Sequence, residues 1–321
     1  MKAIVQNRYG PPDVLALADI DQPAIGPDDV LVRVDAAGVD RGVWHLMEGL
    51  PYLVRLGTGL RGPRKPVRGL DFAGHVAAAG ANVTGFRPGD AVYGTADGTF
   101  AEYARTTPDR IAPMPANLTA IQAAAVPTSA ATALHALRDT GRVRSGQRVL
   151  VIGAAGGVGT YAVQLARAYG AGVTGVCSTS KVDLVRSLGA DTVIDYTRAD
   201  IVDSTRYDLI LDIAGNRPVS YLRQALAARG TLVIVGGETP GRWLGGLDRQ
   251  FRALALSPFV GHRLRTLVST TRRRDLDALT PFLEAGTVTP AVDRTYPLAD
   301  VPEAIRYLHA GQARGKVVIV V

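Results

Sequence analysis

Apolar positions along this chain follow two different rhythms. Across residues 140–260 short apolar runs alternate with helical stretches. Val149–Ile152 reads as a buried strand, Tyr161–Tyr169 as a helix closed by Gly170, Ala171–Val176 as a strand, and Lys181–Leu188 as a helix ended by Gly189. Thr192–Asp195, Tyr207–Asp212 and Thr231–Val235 read as further strands, with a helix over Pro218–Ala228. Apolar strands alternating with helices predict a parallel sheet covered on both faces, a doubly wound α/β domain. Residues 1–120 are different. Val30–Val34, Gly74–Ala78 and Ala91–Tyr93 are short runs separated by turn signals such as Pro11-Pro12, Gly26-Pro27-Asp28-Asp29 and Pro88-Gly89-Asp90, which predicts an irregular β-rich domain. Residues 121–138 form a helical crossing interrupted at Pro127. The tail holds helical stretches at Leu279–Ala285 and Ala299–Ala310 and ends in the valine-rich strand Lys316–Val321. An apolar terminal strand needs a sheet, and the expectation is that it returns to the N-terminal domain. The division expected is therefore 1–120 with 265–321 as one domain and 121–264 as the other.

The turn between the first strand of the α/β region and its helix carries the chemistry. It contains Gly153, Ala155, Gly156, Gly157, Val158 and Gly159, with Gly153, Gly156 and Gly159 at three-residue intervals. Strand, glycine turn and helix in that order make the phosphate-binding entry of a dinucleotide fold. One glycine permits the tight turn, one admits the backbone to a pyrophosphate, and one lets helix and strand pack closely. The N–H groups at the helix start then face the anion. The end of the second strand selects between cofactors. An enzyme that prefers NAD carries an acid about 20 residues after the first glycines to bind the ribose 2′-hydroxyl. Here the sequence is Val176-Cys177-Ser178-Thr179-Ser180-Lys181, without an acid. The hydroxyls of Ser178 and Ser180 and the charge of Lys181 suit a 2′-phosphate, so NADP(H) is the expected cofactor. The same serines are also suited to capping the next helix, and both roles are compatible at one corner.

Composition narrows the class. The chain has 321 residues, enough for two cores, and 47% hydrophobic residues with 36 glycines. No apolar run reaches the roughly 20 residues of a membrane span. The start, Met1-Lys2-Ala3-Ile4-Val5, passes directly into a strand pattern, and no signal peptide is expected. A single cysteine, Cys177, excludes an internal disulfide and a multi-cysteine zinc site, and a cytoplasmic setting is the expectation. Net charge is +7 and the pI about 9.7. The basic clusters Arg61–Arg68 and Arg272–Arg274 are short and lack interleaved aromatics, so nucleic-acid binding is not the favoured reading.

With these landmarks placed, the chain resembles the medium-chain dehydrogenase/reductase superfamily along its whole length. Within it the nearest likeness is to the zinc-free, zeta-crystallin-like quinone oxidoreductases. The resemblance rests on Ala36-Ala37-Gly38-Val39-Asp40-Arg41-Gly42, on Gly69-Leu70-Asp71-Phe72-Ala73-Gly74-His75-Val76, and on Val83–Gly94. Gly98–Tyr103, Ala123–Ala133, Gly153–Gly159, Leu188–Asp191 and Ile194-Asp195-Tyr196 continue it. It implies a GroES-like catalytic domain built from both chain ends, a Rossmann domain between them, and a homodimer. It also implies site roles. Thr132 matches a threonine beside the nicotinamide, Gly236 and Gly237 the loop that accepts the carboxamide, Ala214 and Asn216 the ribose side, and Tyr196 a tyrosine near the 2′-phosphate. Catalytic zinc in this superfamily needs a cysteine where Asp40 stands and a His-Glu pair where Leu70-Asp71 stands. Neither is present, and no metal is expected.

Without zinc, hydride must go to an acceptor that is already electrophilic, such as a quinone, enone or enal. The resemblance assigns residues 40–52 to the roof of the substrate and makes loops 40–68 and 238–262 the determinants of pocket shape. Asp40 replaces the asparagine of many relatives. It would donate a proton only if burial raised its pKa, and is equally suited to being fixed by Arg41. Tyr52 is the best donor to an acceptor oxygen, because a phenol is neutral at pH 7. Trp44, His45 and Met47 are expected to line the pocket, although Trp44 and Tyr52 would serve equally as packing aromatics. Two other functions stay open on sequence. One is a non-catalytic NADPH-binding protein, structural or RNA-binding. The other is zinc-independent alcohol or ketone redox, for which His45 is the only support.

Overall fold

In the computed structural model, residues 1–237 and 241–321 are described. They fall into two units. The first is Met1–Ala131 with Thr270–Gly286 and Pro290–Val321, and the second is Thr132–Ser269 with Thr287–Thr289.

In the first unit, β1 (Lys2–Gln6) and β2 (Leu15–Asp19) form an antiparallel pair, and β3 (Val30–Val39) is the longest strand, followed by α1 (Arg41–Glu48) and α2 (Val54–Thr58). Then come β4 (Asp71–Ala79), β5 (Ala91–Thr95), β6 (Tyr103–Thr106) and β7 (Ile111–Pro113). The helical crossing is two helices, α3 (Ala120–Ala124) and α4 (Pro127–Leu134). Thr119 starts α3 with a capping box to Gln122. Pro127 opens the second helix, where a missing N–H costs nothing. A Cβ on Gly38 of β3 would strike the Ala124 carbonyl oxygen, so this glycine is what lets α3 lie against the sheet. That packing keeps residues 120–131 with the first unit, and the division falls at 131/132 rather than at 120/121.

The second unit opens with β8 (Arg148–Ile152), α5 (Gly157–Ala168), β9 (Gly172–Cys177), α6 (Val182–Ser187) and β10 (Thr192–Asp195). It continues with β11 (Tyr207–Asp212), α7 (Val219–Gln224), β12 (Leu226–Ile234), α8 (Leu247–Leu256) and β13 (Arg263–Thr266). All neighbours are parallel, in the order β10-β9-β8-β11-β12-β13. Counted from β8 this is 3-2-1-4-5-6, the doubly wound dinucleotide-binding order. Two sequence expectations change. The helix expected over Pro218–Ala228 stops at Gln224, because Leu226 pairs with Tyr207 and the chain is already a strand. A sixth strand, β13, was not foreseen. Its Arg-Leu-Arg-Thr alternation is that of an edge strand, with Leu264 fully buried between exposed arginines.

The tail returns to the first unit through α9 (Arg273–Glu284), β14 (Val292–Pro297), α10 (Val301–His309) and β15 (Lys316–Val320). β15 pairs antiparallel with β3 and completes the sheet β14-β15-β3-β4-β5-β7, with β6 also on β3. α9 begins two turns earlier than the sequence reading. Asp275 accepts from the Arg272 N–H at 3.0 Å, and Leu276, Leu279 and Leu283 form its buried stripe. Among the described residues no helix is long and apolar enough to cross a membrane.

Candidate functional site

In the second unit the predicted dinucleotide residues gather at the carboxyl ends of β8, β9, β11 and β12. Gly153 turns the chain at φ +87°, and its N–H and that of Ala154 donate to the Val176 carbonyl at 3.2 and 3.0 Å. A Cβ on Gly159 would be driven into the Gly153 carbonyl oxygen, so only glycine allows α5 this close to β8. Ala155 is buried in this turn, and Gly156 is the N-cap of α5 with no side-chain cap. The N–H groups of the first turn, Gly157, Val158 and Gly159, are thus presented at the positive end of a 12-residue helix. Ala214, Gly215 and Asn216 follow β11, and Gly236 and Gly237 follow β12. Gly215 has φ +67° and packs on the Gly236 carbonyl, while a Cβ on Gly236 would meet the Ile213 carbonyl. These close backbone approaches bring the three loops together at the switch point between β8 and β11, where an open α/β sheet takes its ligand. The donor chemistry fits a dinucleotide diphosphate. Thr132 is buried on α4.

The corner after β9 holds Ser178, Ser180 and Lys181. Neither Ser178 nor Lys181, the two N-cap positions here, makes a side-chain cap hydrogen bond. The Tyr196 N–H donates to the Cys177 carbonyl at 3.1 Å, which brings the half-exposed Tyr196 to the same corner. The sequence reading missed Asp195, which enters from the neighbouring parallel strand. Thr179 Oγ donates to its carboxylate at 2.5 Å and Thr197 Oγ at 2.7 Å, with Arg198 at 3.6 Å. The Thr179 hydrogen bond is the largest cause holding this carboxyl below its ordinary value. The acid is tied within its own network.

A second missed pair lies beneath the β11 loop. Asp212 is fully buried, accepts from the Gly215 N–H at 3.1 Å, and is ion-paired with the buried Arg249 of α8. Burial raises the Asp212 carboxyl, and Arg249 opposes that. The pair pins the glycine loop from below. Nothing in the spacing of residues 212 and 249 announces it.

In the first unit, Asp40 is the N-cap of α1 and accepts from the Gly42 and Val43 N–H groups at 2.7 and 3.3 Å. Its other oxygen, Oδ2, is buried without a hydrogen-bond partner. Nearby Asp71 is fully buried at the start of β4. It accepts from the Thr128 N–H at 3.1 Å and from Thr128 Oγ at 2.5 Å. The Lys316 ammonium, 2% exposed, lies 3.5 Å from Asp71 and donates to Ser129 Oγ at 3.1 Å. The cation beside Asp71 is therefore supplied by the chain itself. Among the described residues there is no group of three or more His, Cys, Asp or Glu arranged to hold a metal ion. Lys316 escaped notice in the sequence because it reads as the polar edge of an apolar strand.

The expected pocket residues separate. Met47 is fully exposed to the core and not to solvent: it sits in the main apolar cluster with Val43 and Phe72, so it is a packing residue rather than a pocket wall. It falls on the inward face of α1, four residues after Val43. Trp44 stacks on His309 of α10, with centroids 3.6 Å apart and planes at 7°. His45 Nδ1 is 3.1 Å from the Leu50 carbonyl oxygen. Tyr52 is half-buried, and the Arg55 guanidinium lies over both its ring and that of Tyr9, at 4.7 and 4.6 Å. Leu53, Leu56 and Leu60 are exposed on the same segment. Of the second segment thought to shape the pocket, residues 238–240 lie outside the described residues.

Known proteins resemble this chain over its whole length. Residues 26–116 match the family of the alcohol dehydrogenase GroES-like domain, and residues 188–319 match the zinc-binding dehydrogenase family. The mitochondrial NAD(P)H oxidoreductase RTN4IP1 of Mus musculus is 32% identical, over 99% of this chain and 89% of its own. The chloroplastic NADPH-dependent alkenal/one oxidoreductase of Arabidopsis thaliana is 34% identical, over 99% and 79%. The quinone oxidoreductase of Coxiella burnetii superposes with a TM-score of 0.88 at 29% identity, covering 100% of this chain and 99% of that one. The chain belongs to the medium-chain dehydrogenase/reductase family, with its GroES-like and Rossmann-like domains, and is an NAD(P)H oxidoreductase of that family.

Asp71 generates a pH prediction. Burial raises its carboxyl from 3.8 to about 6, with Lys316 opposing the rise. Its folded value thus exceeds the unfolded one, so the folded state keeps a proton that the unfolded chain has lost. The contribution to stability is present below pH 4, declines as pH rises towards 6, and is flat above. We expect Asp71→Asn to remove a decline of about 1–3 kcal/mol from the unfolding free energy between pH 4 and 6.5. Denaturant titrations at several pH values measure it. An unchanged slope in the variant would show that Asp71 does not titrate there.

Proposed function

We propose that this protein is an NADPH-dependent, zinc-independent reductase of a quinone or an activated alkene. The observation that carries the reading is the pairing of Lys316 with Asp71. Asp71 stands where the resemblance puts the acid of a zinc-binding pair, the Lys316 ammonium lies 3.5 Å from it, and a second cation there would be strongly repelled. The names of relatives, an alkenal/one oxidoreductase and a quinone oxidoreductase, point to the same acceptor class.

When bound, NADPH supplies the hydride. In reduction of an enone, the β-carbon gains that hydride and the C=C π bond is lost. The electron pair moves onto the carbonyl oxygen as an enolate, and the α-carbon then takes a proton from solvent. The chain's part is to orient and to stabilise developing charge. The helix start at Gly156–Gly159 holds the diphosphate, and Ser178, Ser180, Lys181 and Tyr196 hold the 2′-phosphate. Thr132, Gly236 and Gly237 position the nicotinamide, with Ala214 and Asn216 on the ribose side. Tyr52 is the donor to the acceptor oxygen. Asp40, bound to the first N–H groups of α1, holds the roof segment in place. Leu53, Leu56 and Leu60 offer the apolar surface that such an acceptor requires.

NADPH oxidation followed at 340 nm with a panel of quinones and enones tests the reaction. Acceptor-dependent oxidation is the expected result, and tight NADPH binding with silence on every acceptor would return the protein to the non-catalytic class. Lys181→Ala tests the cofactor assignment. A lost charge-assisted contact to phosphate is worth about 1.5–3 kcal/mol, so NADPH affinity should fall by about tenfold or more while NADH affinity barely changes. Equal loss for both cofactors would overturn the assignment of Lys181. A homodimer is supported by Phe251, Leu254, Phe259 and Val268, all exposed around the edge strand β13. Light scattering should give near twice the 33.8 kDa of one chain, and a monomer mass at all concentrations would exclude it.

A further inference from the structure

Arg68 is an anomaly. It is 6% exposed, its Nη1 donates to the Leu46 carbonyl at a long 3.5 Å and its Nη2 to the Lys65 carbonyl, and its Nε is buried with no partner. No carboxylate pairs with it among the described residues. Burial holds the guanidinium below its ordinary value, with Tyr9 and Asp97 opposing the drop. Its backbone is fixed on both sides, the N–H donating to the Ile4 carbonyl at 3.4 Å and the carbonyl accepting from the Phe100 N–H at 2.9 Å, so the side chain cannot leave by a small shift. The acid that acts on it, Asp97, is not hydrogen-bonded to it and is shared with Lys65 and Arg110; a buried cation left so incompletely compensated is costly, and a ligand can complete it.

The surroundings show what the ligand is. Arg68 lines a cavity of about 270 Å³ with Arg64, Lys65, Thr58, Leu70 and Asp97 among its other walls. Three cations face one carboxylate, and Asp97 is already held by Lys65 at 2.7 Å and by Arg110 at 3.4 Å. The excess charge is positive. Arg64, Lys65 and Asp97 also line a larger cleft of about 570 Å³, so the cavity has an open approach. Leu46 of α1 and Gly57 and Thr58 of α2 are also on the wall, which places the cavity against the segment assigned to the acceptor.

We propose that Arg68, supported by Arg64 and Lys65, is an anion subsite in the acceptor pocket, and that the acceptor is an activated alkene carrying a carboxylate. This rests on the reductase reading above. The guanidinium donates to the carboxylate oxygens, and the buried site strengthens that bond. The apolar leucines and the cation then act on opposite ends of one substrate.

Two small enones test it: trans-4-oxo-2-pentenoate, which carries the carboxylate, and 3-penten-2-one, which does not. Calorimetric titration gives affinity and NADPH oxidation gives kcat/KM. The wild-type protein should bind the carboxylated enone at least about tenfold more tightly than the neutral one. Arg68→Met should erase that preference, read as the ratio between the two enones in affinity and in kcat/KM. If Arg68→Met does not fold, Arg68→Lys is read instead. It keeps the charge but loses the fork, and the preference should fall about fivefold. Equal affinity for the two enones in the wild type, or a preference unchanged in the variant that folds, overturns the subsite. Turnover of the neutral enone without anion preference leaves the reductase reading standing alone. Anion preference that depends on Arg68 with no turnover of either enone keeps the subsite and removes the reductase reading.

Discussion

The first unit depends on one buried charge. Asp71 stands at the start of β4, Lys316 at the start of β15, and Thr128 and Ser129 in the first turn of α4. Through this cluster a strand from the first quarter of the chain, the C-terminal strand and the helix that leads into the Rossmann unit meet at a single carboxylate. Each partner satisfies another. Thr128 donates to Asp71 through both its N–H and its hydroxyl, and Lys316 divides its ammonium between Asp71 and Ser129. Removing one member leaves a buried group unsatisfied, which costs more than the pair itself contributes. The cluster therefore fixes register more than it adds stability. It also explains how both ends of the chain can build one sheet.

In the Rossmann unit the corresponding constraint is steric. Gly159, Gly215 and Gly236 each stand where a Cβ would collide with a backbone carbonyl. The three loops after β8, β11 and β12 can converge only because these positions have no side chain. Asp212 and Arg249 then hold the β11 loop from the core side, with Asp212 bound to the Gly215 N–H. Backbone approach on one side and a buried ion pair on the other leave the loop little freedom. A loop of that kind loses little further freedom when a ligand binds against it.

Much of this was legible in the sequence because it is local. Val149–Ile152, the glycine turn and the helix after it form one contiguous signal, and the absence of an acid after β9 is read from six consecutive residues. What escaped is non-local. Asp195 reaches the Ser178 corner through strand pairing with Cys177, and Lys316 reaches Asp71 across 245 positions. No periodicity encodes such meetings. Met47 shows another limit. A residue between a tryptophan and a tyrosine looks like part of a pocket, but the helical turn of α1 points it into the core beside Val43. The start of α9 was hidden because Arg272–Arg274 mask a leucine stripe that begins only at Leu276.

Two buried cations of the first unit show how structural and functional charge differ. Lys316 and Arg68 are about equally hidden, at 2% and 6% exposure. Lys316 has an acid and a hydroxyl in reach, and its site is complete. Arg68 has only carbonyl oxygens, one of them distant, and an idle Nε–H. Both would cost free energy if left uncompensated, yet only Lys316 has an acid in direct contact; Arg68 feels Asp97 without a hydrogen bond to it. One acid, Asp97, lies on the same cavity wall, but it is turned to Lys65 and Arg110. An arginine that served only to stabilise would take that acid as partner. Its positive charge is kept for something the chain does not itself contain, and the cavity it lines is where that group is admitted.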